Sequence, residues 1–377
     1  MRKNNALVKA FRKVALLVFM VVVTYEAYMH QIIGGSAEGS PSIHALCPYG
    51  ALESLYQVLF SGAIMQKIYV GTFILLIASI LVALVFRRSF CGLICPFGAI
   101  QEFFGAIGLK LFGKRFKINT KLDKYLRFLK YIVLIVTAYA AWKTGELWMS
   151  EYDPWAAYAH LTAGYDELIL EYGIGLAVLI VTIIGSMFFD RVFCKYLCPM
   201  GAFLGIISKL SPNKIHRSKD TCINCDICSR KCPMNIKVSK LSEVKDIECI
   251  NCQSCTLSCP VEGALENKIG SNTIKPLVLI LITFTLFFGT IGVTKVLGYY
   301  SLLPEPIQAG SIMDSSEVKG YMTLDDISLA TGISIEELYE KLGLSSSVPS
   351  DMKMKEIKNI NEGFEVESVR ILIDELK

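Results

Sequence analysis

Two cysteine runs of identical spacing constrain this chain more than any other feature. Cys222, Cys225, Cys228 and Cys232-Pro233 read C-x2-C-x2-C-x3-C-P, and Cys249, Cys252, Cys255 and Cys259-Pro260 repeat the pattern. Three thiols this close can hold three corners of a cubane, and the proline turns the chain away after the fourth. Zinc also accepts four thiolates, but its sites use two C-x2-C pairs rather than a run of three followed by C-P.

This is the bacterial two-cluster ferredoxin spacing, in which the fourth cysteine of each run serves the other cluster. Cys222, Cys225, Cys228 and Cys259 are therefore expected to hold one 4Fe-4S cluster. Cys249, Cys252, Cys255 and Cys232 are expected to hold the second.

What surrounds the runs is apolar. Hydrophobic residues make up 53% of the 377, charged residues only 19%, and the mean hydropathy is +0.47, a composition of membrane proteins. A helix needs about 20 apolar residues to cross the hydrocarbon core. Five segments approach that length: Val14 to Ile33, Ile68 to Phe86, Tyr125 to Trp142, Leu168 to Phe189 and Ile274 to Leu297. The first reads as a retained signal anchor. Basic residues set the orientation. Arg2, Lys3, Lys9, Arg12 and Lys13 precede the first span, Arg87 and Arg88 follow the second, Lys110 to Lys124 precede the third, and Arg191 and Lys195 follow the fourth. All these are expected in the cytoplasm, with the ferredoxin domain. Trp148, Tyr152, Trp155 and Tyr158 are expected to form an aromatic belt at the opposite face.

A second cysteine motif recurs. Phe90-Cys91-x3-Cys95-Pro96-x-Gly98-Ala99 follows the second span, and Phe193-Cys194-x3-Cys198-Pro199-x-Gly201-Ala202 follows the fourth. The repeat suggests two related hairpin units. Their four thiols could hold an additional iron–sulfur or metal centre at the membrane interface, form a redox disulfide system, or simply pack. A fainter copy, Cys47-Pro48-Tyr49-Gly50-Ala51, has Ile43 in place of the first cysteine. The orientation argument puts it on the opposite face, where Cys47 could be a redox or metal group or part of a packing turn.

Spans followed twice by F-C-x3-C-P and then by two ferredoxin runs resemble the NapH/NosR/CcoG group of 4Fe-4S membrane proteins, over roughly residues 60–270. The group includes the quinol-dehydrogenase subunit of periplasmic nitrate reductase systems and the membrane regulator of nitrous oxide reductase. The resemblance implies electron transfer between a cytoplasmic donor or quinone pool and a redox partner at or across the membrane. A contrasting reading is an accessory or regulatory protein that supports maturation of another metalloenzyme, by metal reduction or redox sensing. The tail after Leu297 lies outside the shared pattern, so no particular substrate is inherited.

From Tyr299 the chain reads as a small helical domain. Helix starts are expected at Thr323 and Ser334, a stop at Gly343, and a third helix after Phe364 that buries Val366, Val369, Ile371 and Leu376. Fifteen acidic against seven basic residues there give the wrong sign for nucleic acid. Glu26 and His30, four apart in the first span, are candidates for a quinone or haem role.

The predicted fold is thus an α-helical integral membrane protein of about five transmembrane helices. It carries an inserted α+β two-cluster ferredoxin domain and a small C-terminal helical domain. The expected boundaries are 1–213 for the membrane domain, 214–270 for the ferredoxin domain, 271–298 for the fifth span and 299–377 for an acidic, extracytoplasmic domain.

Overall fold

A computed structural model of the protein describes residues 2–61, 64, 65, 67–304, 306, 310, 315, 318, 320, 322–345, 348–357, 360, 361 and 363–375. The chain is mostly helical and divides into two compact units, Met1–Tyr28 with Ser42–Leu302 and Met29–Pro41 with Leu303–Lys377. The described helices begin with α1 (Arg2–Ile33), α2 (Ile43–Leu46), α3 (Pro48–Ser61), α4 (Val70–Phe86), α5 (Ser89–Leu93) and α6 (Pro96–Phe112). They continue with α7 (Thr120–Leu126), α8 (Leu129–Thr144), α9 (Pro154–Ala159), α10 (Tyr165–Leu170), α11 (Gly173–Phe189), α12 (Val192–Tyr196) and α13 (Pro199–Ile207).

A helix therefore stands at each expected span. By length and apolarity alone, two of the described helices could cross a membrane, Lys121–Thr144 (α7 with α8) and Pro276–Val296. The helices α4 and α11 are equally apolar but have 17 residues each. They rise about 26 Å, just short of a hydrocarbon core of about 30 Å.

The ferredoxin runs lie between strands β1 (Asn213–Arg217) and β3 (Leu265–Ile269), with α14 (Ile227–Arg230) and β2 (Glu243–Val244) between them and β4 (Asn272–Ile274) after. The four strands pair antiparallel in the order β2-β1-β3-β4, with Ile215 opposite Asn267 and Val244. β1 and β3 thus tie the two ends of the module together. Beyond β4, α15 (Pro276–Val296) packs on α4. The core of this unit runs without interruption from Leu76, Val82 and Phe86 through Leu93 and Leu204 to Ile215 and Ile250.

The second unit holds α16 (Leu324–Thr331), α17 (Ile335–Lys341), α18 (Met354–Ile357) and α19 (Val366–Glu375). Both expected helix starts are present. Thr323 accepts from the Asp326 amide at 3.0 Å while Asp326 accepts from the Thr323 amide at 2.9 Å, and Ser334 caps α17. Gly332 and Gly343 adopt φ of 78° and 63°, left-handed values that suit glycine after a helix. The core is Val318, Leu324, Ile327, Leu338, Ile357 and Val369 with their neighbours. One expectation fails. Ile371 is exposed, and Leu372 and Ile373 are buried in its place, because α19 buries a face one residue further round; Leu376 lies outside the described residues. Losing the reciprocal cap through Thr323→Ala should cost about 1 kcal/mol. In thermal melts of the full chain this unit should unfold earlier while the visible absorption of the clusters is unchanged.

Candidate functional site: two cysteine cages and a five-cysteine cavity

Wrapping three thiols around one space in seven residues demands backbone that most residues avoid. In the first run Asn224 and Asp226 take φ of 55° and 58°, and in the second Asn251 and Gln253 take 47° and 63°. These pairs flank the middle cysteine of each run and turn its neighbours inward. Cys222, Cys225, Cys228 and Cys259 line one cavity. Cys232, Cys249, Cys252 and Cys255 line another. Each run thus contributes three thiols to one cage and sends its fourth to the other.

The settings differ. In the second cage Cys249, Cys252 and Cys255 are buried, whereas the cysteines of the first are partly exposed. Burial pushes the Cys232 thiol up to about 12, while a hydrogen bond from Arg217 holds the exposed Cys222 thiol below its usual range. Among the described residues, no three His, Cys, Asp or Glu side chains converge closely enough to hold a single metal ion. Four sulfur donors line each cage, a donor set that fits a 4Fe-4S cluster.

The second cage is anchored to the helices beneath it. Asn251 donates to the Phe86 carbonyl at the end of α4 and to Asn213 Oδ1, both at 3.0 Å, and Gln253 and Asn267 extend this buried amide network. Arg87 donates to the carbonyls of Val244 and Asp246. An added Cβ on Gly92 would collide with the Ile250 carbonyl and lie 3.1 Å from Cys252 Cα, so α5 packs directly against the second cage.

The C-x3-C-P segments meet in a third place. Cys47, Cys91, Cys95, Cys194 and Cys198 line one cavity of about 100 Å³. Cys47 reaches this cavity from the start of α4, where Thr72 donates to the Ala45 carbonyl (3.0 Å) and His44 bonds with Ser150 (3.0 Å), whereas Cys91 follows the other end of that helix. Trp155 departs from the expected belt; it is buried, lines this cavity and stacks on Tyr158. The helices α3, α6 and α13 each begin with the proline of a C-P pair, which is pre-shaped for a first helical position. Each therefore presents its cysteine at the N-terminal end. The Gly201 amide donates to Cys198 Sγ at 3.3 Å, and Gln101 donates to Cys194 Sγ at 3.1 Å.

Two side chains read in the sequence only as orientation signals belong to this site. Arg88 and Arg191 stand three residues before Cys91 and Cys194 in the shared pattern F-x-R-x-F-C, and both are fully buried. Each reaches into the other copy of the repeat. A Cβ on Gly201 would lie 2.6 Å from Arg88 Nη2, and one on Gly98 would lie 2.8 Å from Arg191 Nη1, so the glycine of each C-P-x-G turn makes room for a guanidinium. Arg191 also donates to the Cys91 carbonyl at 2.6 Å and to Glu102 at 3.0 Å. Arg12 clasps Glu102 at 2.7 and 2.8 Å and the Gly92 carbonyl at 3.0 and 3.1 Å. Burial alone would raise the Glu102 carboxyl, yet the two guanidiniums hold it at about 2. At the Cys47 end the carboxyls face no such charge, and burial pushes Asp153 up to about 6 and Glu53 up to about 8.

His160 and His30 sit elsewhere. His160 stacks on Tyr172 and bonds to the Ala156 carbonyl, and His30 bonds to the Ser40 carbonyl at 2.6 Å.

Comparison with known proteins bears on the repeat first. A family described as "4Fe-4S binding domain" matches residues 70–119 and again 173–218, once over each C-x3-C-P unit. The Escherichia coli protein YccM, whose name proposes electron transport, is 33% identical over 55% of this chain and 58% of its own length. An uncharacterized protein of Methanocaldococcus jannaschii is 31% identical over 53% of the chain and 78% of its own length. The regulatory protein NosR of Pseudomonas aeruginosa is 31% identical over 39% of the chain and 20% of its own. The chain thus spans little more than half of YccM and a fifth of NosR. No solved structure matches.

Proposed function

The chain belongs to the NapH/NosR-like family of ferredoxin-type 4Fe-4S proteins, and on that premise we propose that it is a membrane-bound iron–sulfur electron carrier. It passes electrons between a cytoplasmic donor or the quinone pool and a redox partner at or across the membrane. Bound in the two cages, 4Fe-4S clusters would each take up or release one electron. The eight ferredoxin cysteines hold them, and the first cage, partly exposed, is the one open to a soluble partner.

The observation that carries this reading is the seating of the second cage on α5, where Gly92 brings the Cys252 loop against Cys91. A ferredoxin module that merely sensed redox state would have no need of such close packing. Five apolar segments and the basic residues beside them support a multi-pass protein with its ferredoxin domain in the cytoplasm. A quinone finds a suitable groove of about 610 Å³ between α7–α8 and the loop before Cys249, lined by Arg127, Phe128, Tyr131, Ile236 and Ile247. Its size is that of a small-molecule site, and it combines apolar side chains with the donors of Lys124, Arg127 and Tyr131.

The test is anaerobic purification in detergent, reduction with dithionite and EPR before and after addition of a quinone analogue or an oxidised ferredoxin. Signals of two interacting reduced cubanes that either acceptor bleaches are expected. Clusters that neither acceptor oxidises, or zinc in place of iron, would sink the proposal.

A further inference from the structure

The five-cysteine cavity has a built interior that the ferredoxin clusters do not use. We propose that Cys91, Cys95, Cys194 and Cys198 ligate a third iron–sulfur cluster, with Arg88 and Arg191 as its fixed counter-charges and Cys47 outside the ligand set. This extends the electron-carrier reading.

Size comes first. At about 100 Å³ the cavity has the volume of roughly three waters and falls well below the ~300 Å³ at which organic ligand sites begin. It suits a small inorganic core, whereas a quinone or haem would not fit.

Charge comes second. Arg88 and Lys130 share one carboxylate, Glu248, and Arg12 and Arg191 share another, Glu102. Each cluster of three is left with one surplus positive charge, and in each the guanidinium beside the thiols is fully buried. The Nε and Nη2 atoms of Arg88 make no hydrogen bond, nor does Nε of Arg191, and Arg88 itself lines the cavity. Buried charge of this kind is costly unless something of opposite sign faces it. Four thiolates around an iron–sulfur core of charge plus two leave a net charge of minus two, which matches. Two disulfides, or four neutral thiols, would leave both guanidiniums facing neutral sulfur.

Arrangement comes third. The four cysteines form two pairs from equivalent segments and lie within electrostatic reach of one another, with Cys91, Cys194 and Cys198 also in reach of Arg88 and Cys95 in reach of Arg191. Cys47 has neither advantage. Its partner position in the motif is Ile43, and the titratable groups in its reach are the carboxyls of Asp153 and Glu53, which offer a thiolate no counter-charge.

Mössbauer spectra with iron and sulfide analysis on the anaerobically purified full chain, grown on enriched iron, test the proposal. Wild-type protein should exceed the about eight irons of two cubanes by about two to four. Cys198→Ser and Cys95→Ser should each lose that excess and keep the ferredoxin spectrum, Cys47→Ser should keep both, and Arg88→Gln should shift the reduction potential of the extra centre. About eight irons in the wild type, with a spectrum that Cys198→Ser and Cys95→Ser leave unchanged, would overturn the site. So would loss of the excess in Cys47→Ser alone. Excess iron sensitive to Cys198→Ser in protein that lacks ferredoxin signals would support this site and overturn the electron-carrier reading.

Discussion

Gly92→Ala is expected to loosen the second ferredoxin cage from the helices beneath it while leaving its iron in place. The single added methyl would meet the Ile250 carbonyl closer than side-chain carbons approach backbone oxygen, and would press on Cα and Cβ of Cys252. Neither obstacle is the free end of a flexible side chain. Ile250 and Asn251 are nearly inaccessible, and Asn251 is tied to Phe86 and Asn213, so the loop cannot slide sideways. On the other side, Arg12 grips the Gly92 carbonyl and keeps α5 from backing away. Overpacking at such a site typically costs about 1–3 kcal/mol. The thermal midpoint should fall, and the EPR signal of the cluster nearest Cys252 should broaden or shift. Gly289→Ala, on α15 with open space around the added carbon, is the matched control and should alter neither. A Gly92→Ala protein with wild-type melting and spectra would mean that the cage does not sit on α5.

Much of this site was legible from spacing, since local motifs carry their geometry with them. The seven-residue cysteine runs dictate three-sided wraps, and the crossing of Cys232 and Cys259 between cages is the pattern of two-cluster ferredoxins with this spacing. Capping residues at Thr323 and Ser334 marked their helices for the same reason. What spacing could not show was long-range convergence. Cys47 stands 44 residues before Cys91, and contacts between distant elements, the Thr72–Ala45 and His44–Ser150 hydrogen bonds among them, place its turn beside the shared cavity. Arg88 and Arg191 were read only as orientation signals, because an arginine after a span ordinarily marks the cytoplasmic side. Their equal offset from Cys91 and Cys194 was the available clue to another role. The five-span count rests on apolarity, and α4 and α11 are short enough that helix length alone does not decide it.

Glu102→Ala should be among the most destabilising single substitutions in the first unit. Among the described residues its carboxylate is the one that pairs with both Arg12 and Arg191, and these two guanidiniums in turn hold the carbonyls of Gly92 and Cys91. Removing it leaves two buried like charges without the carboxylate between them, and breaking a buried ion pair from one side typically costs about 3–5 kcal/mol. Glu102→Gln keeps the shape and one acceptor but not the charge, so an intermediate loss separates charge from packing. The sign of the pH dependence follows from the depressed carboxyl. With a folded value of about 2 against roughly 4.3 for free glutamate, its stabilisation is complete above the unfolded value and is lost as pH falls through the folded one. Wild-type protein should therefore lose stability between about pH 5 and pH 2 more steeply than Glu102→Gln. Because Arg12 and Arg191 grip adjacent residues, Cys91 and Gly92, the same substitution should also disturb the contact that Gly92→Ala strains from the opposite side. The two changes made together should therefore cost less than the sum of their separate effects, as expected for residues acting through one shared contact. Full additivity in a double-mutant cycle would show that the Glu102 network and the Gly92 junction act independently.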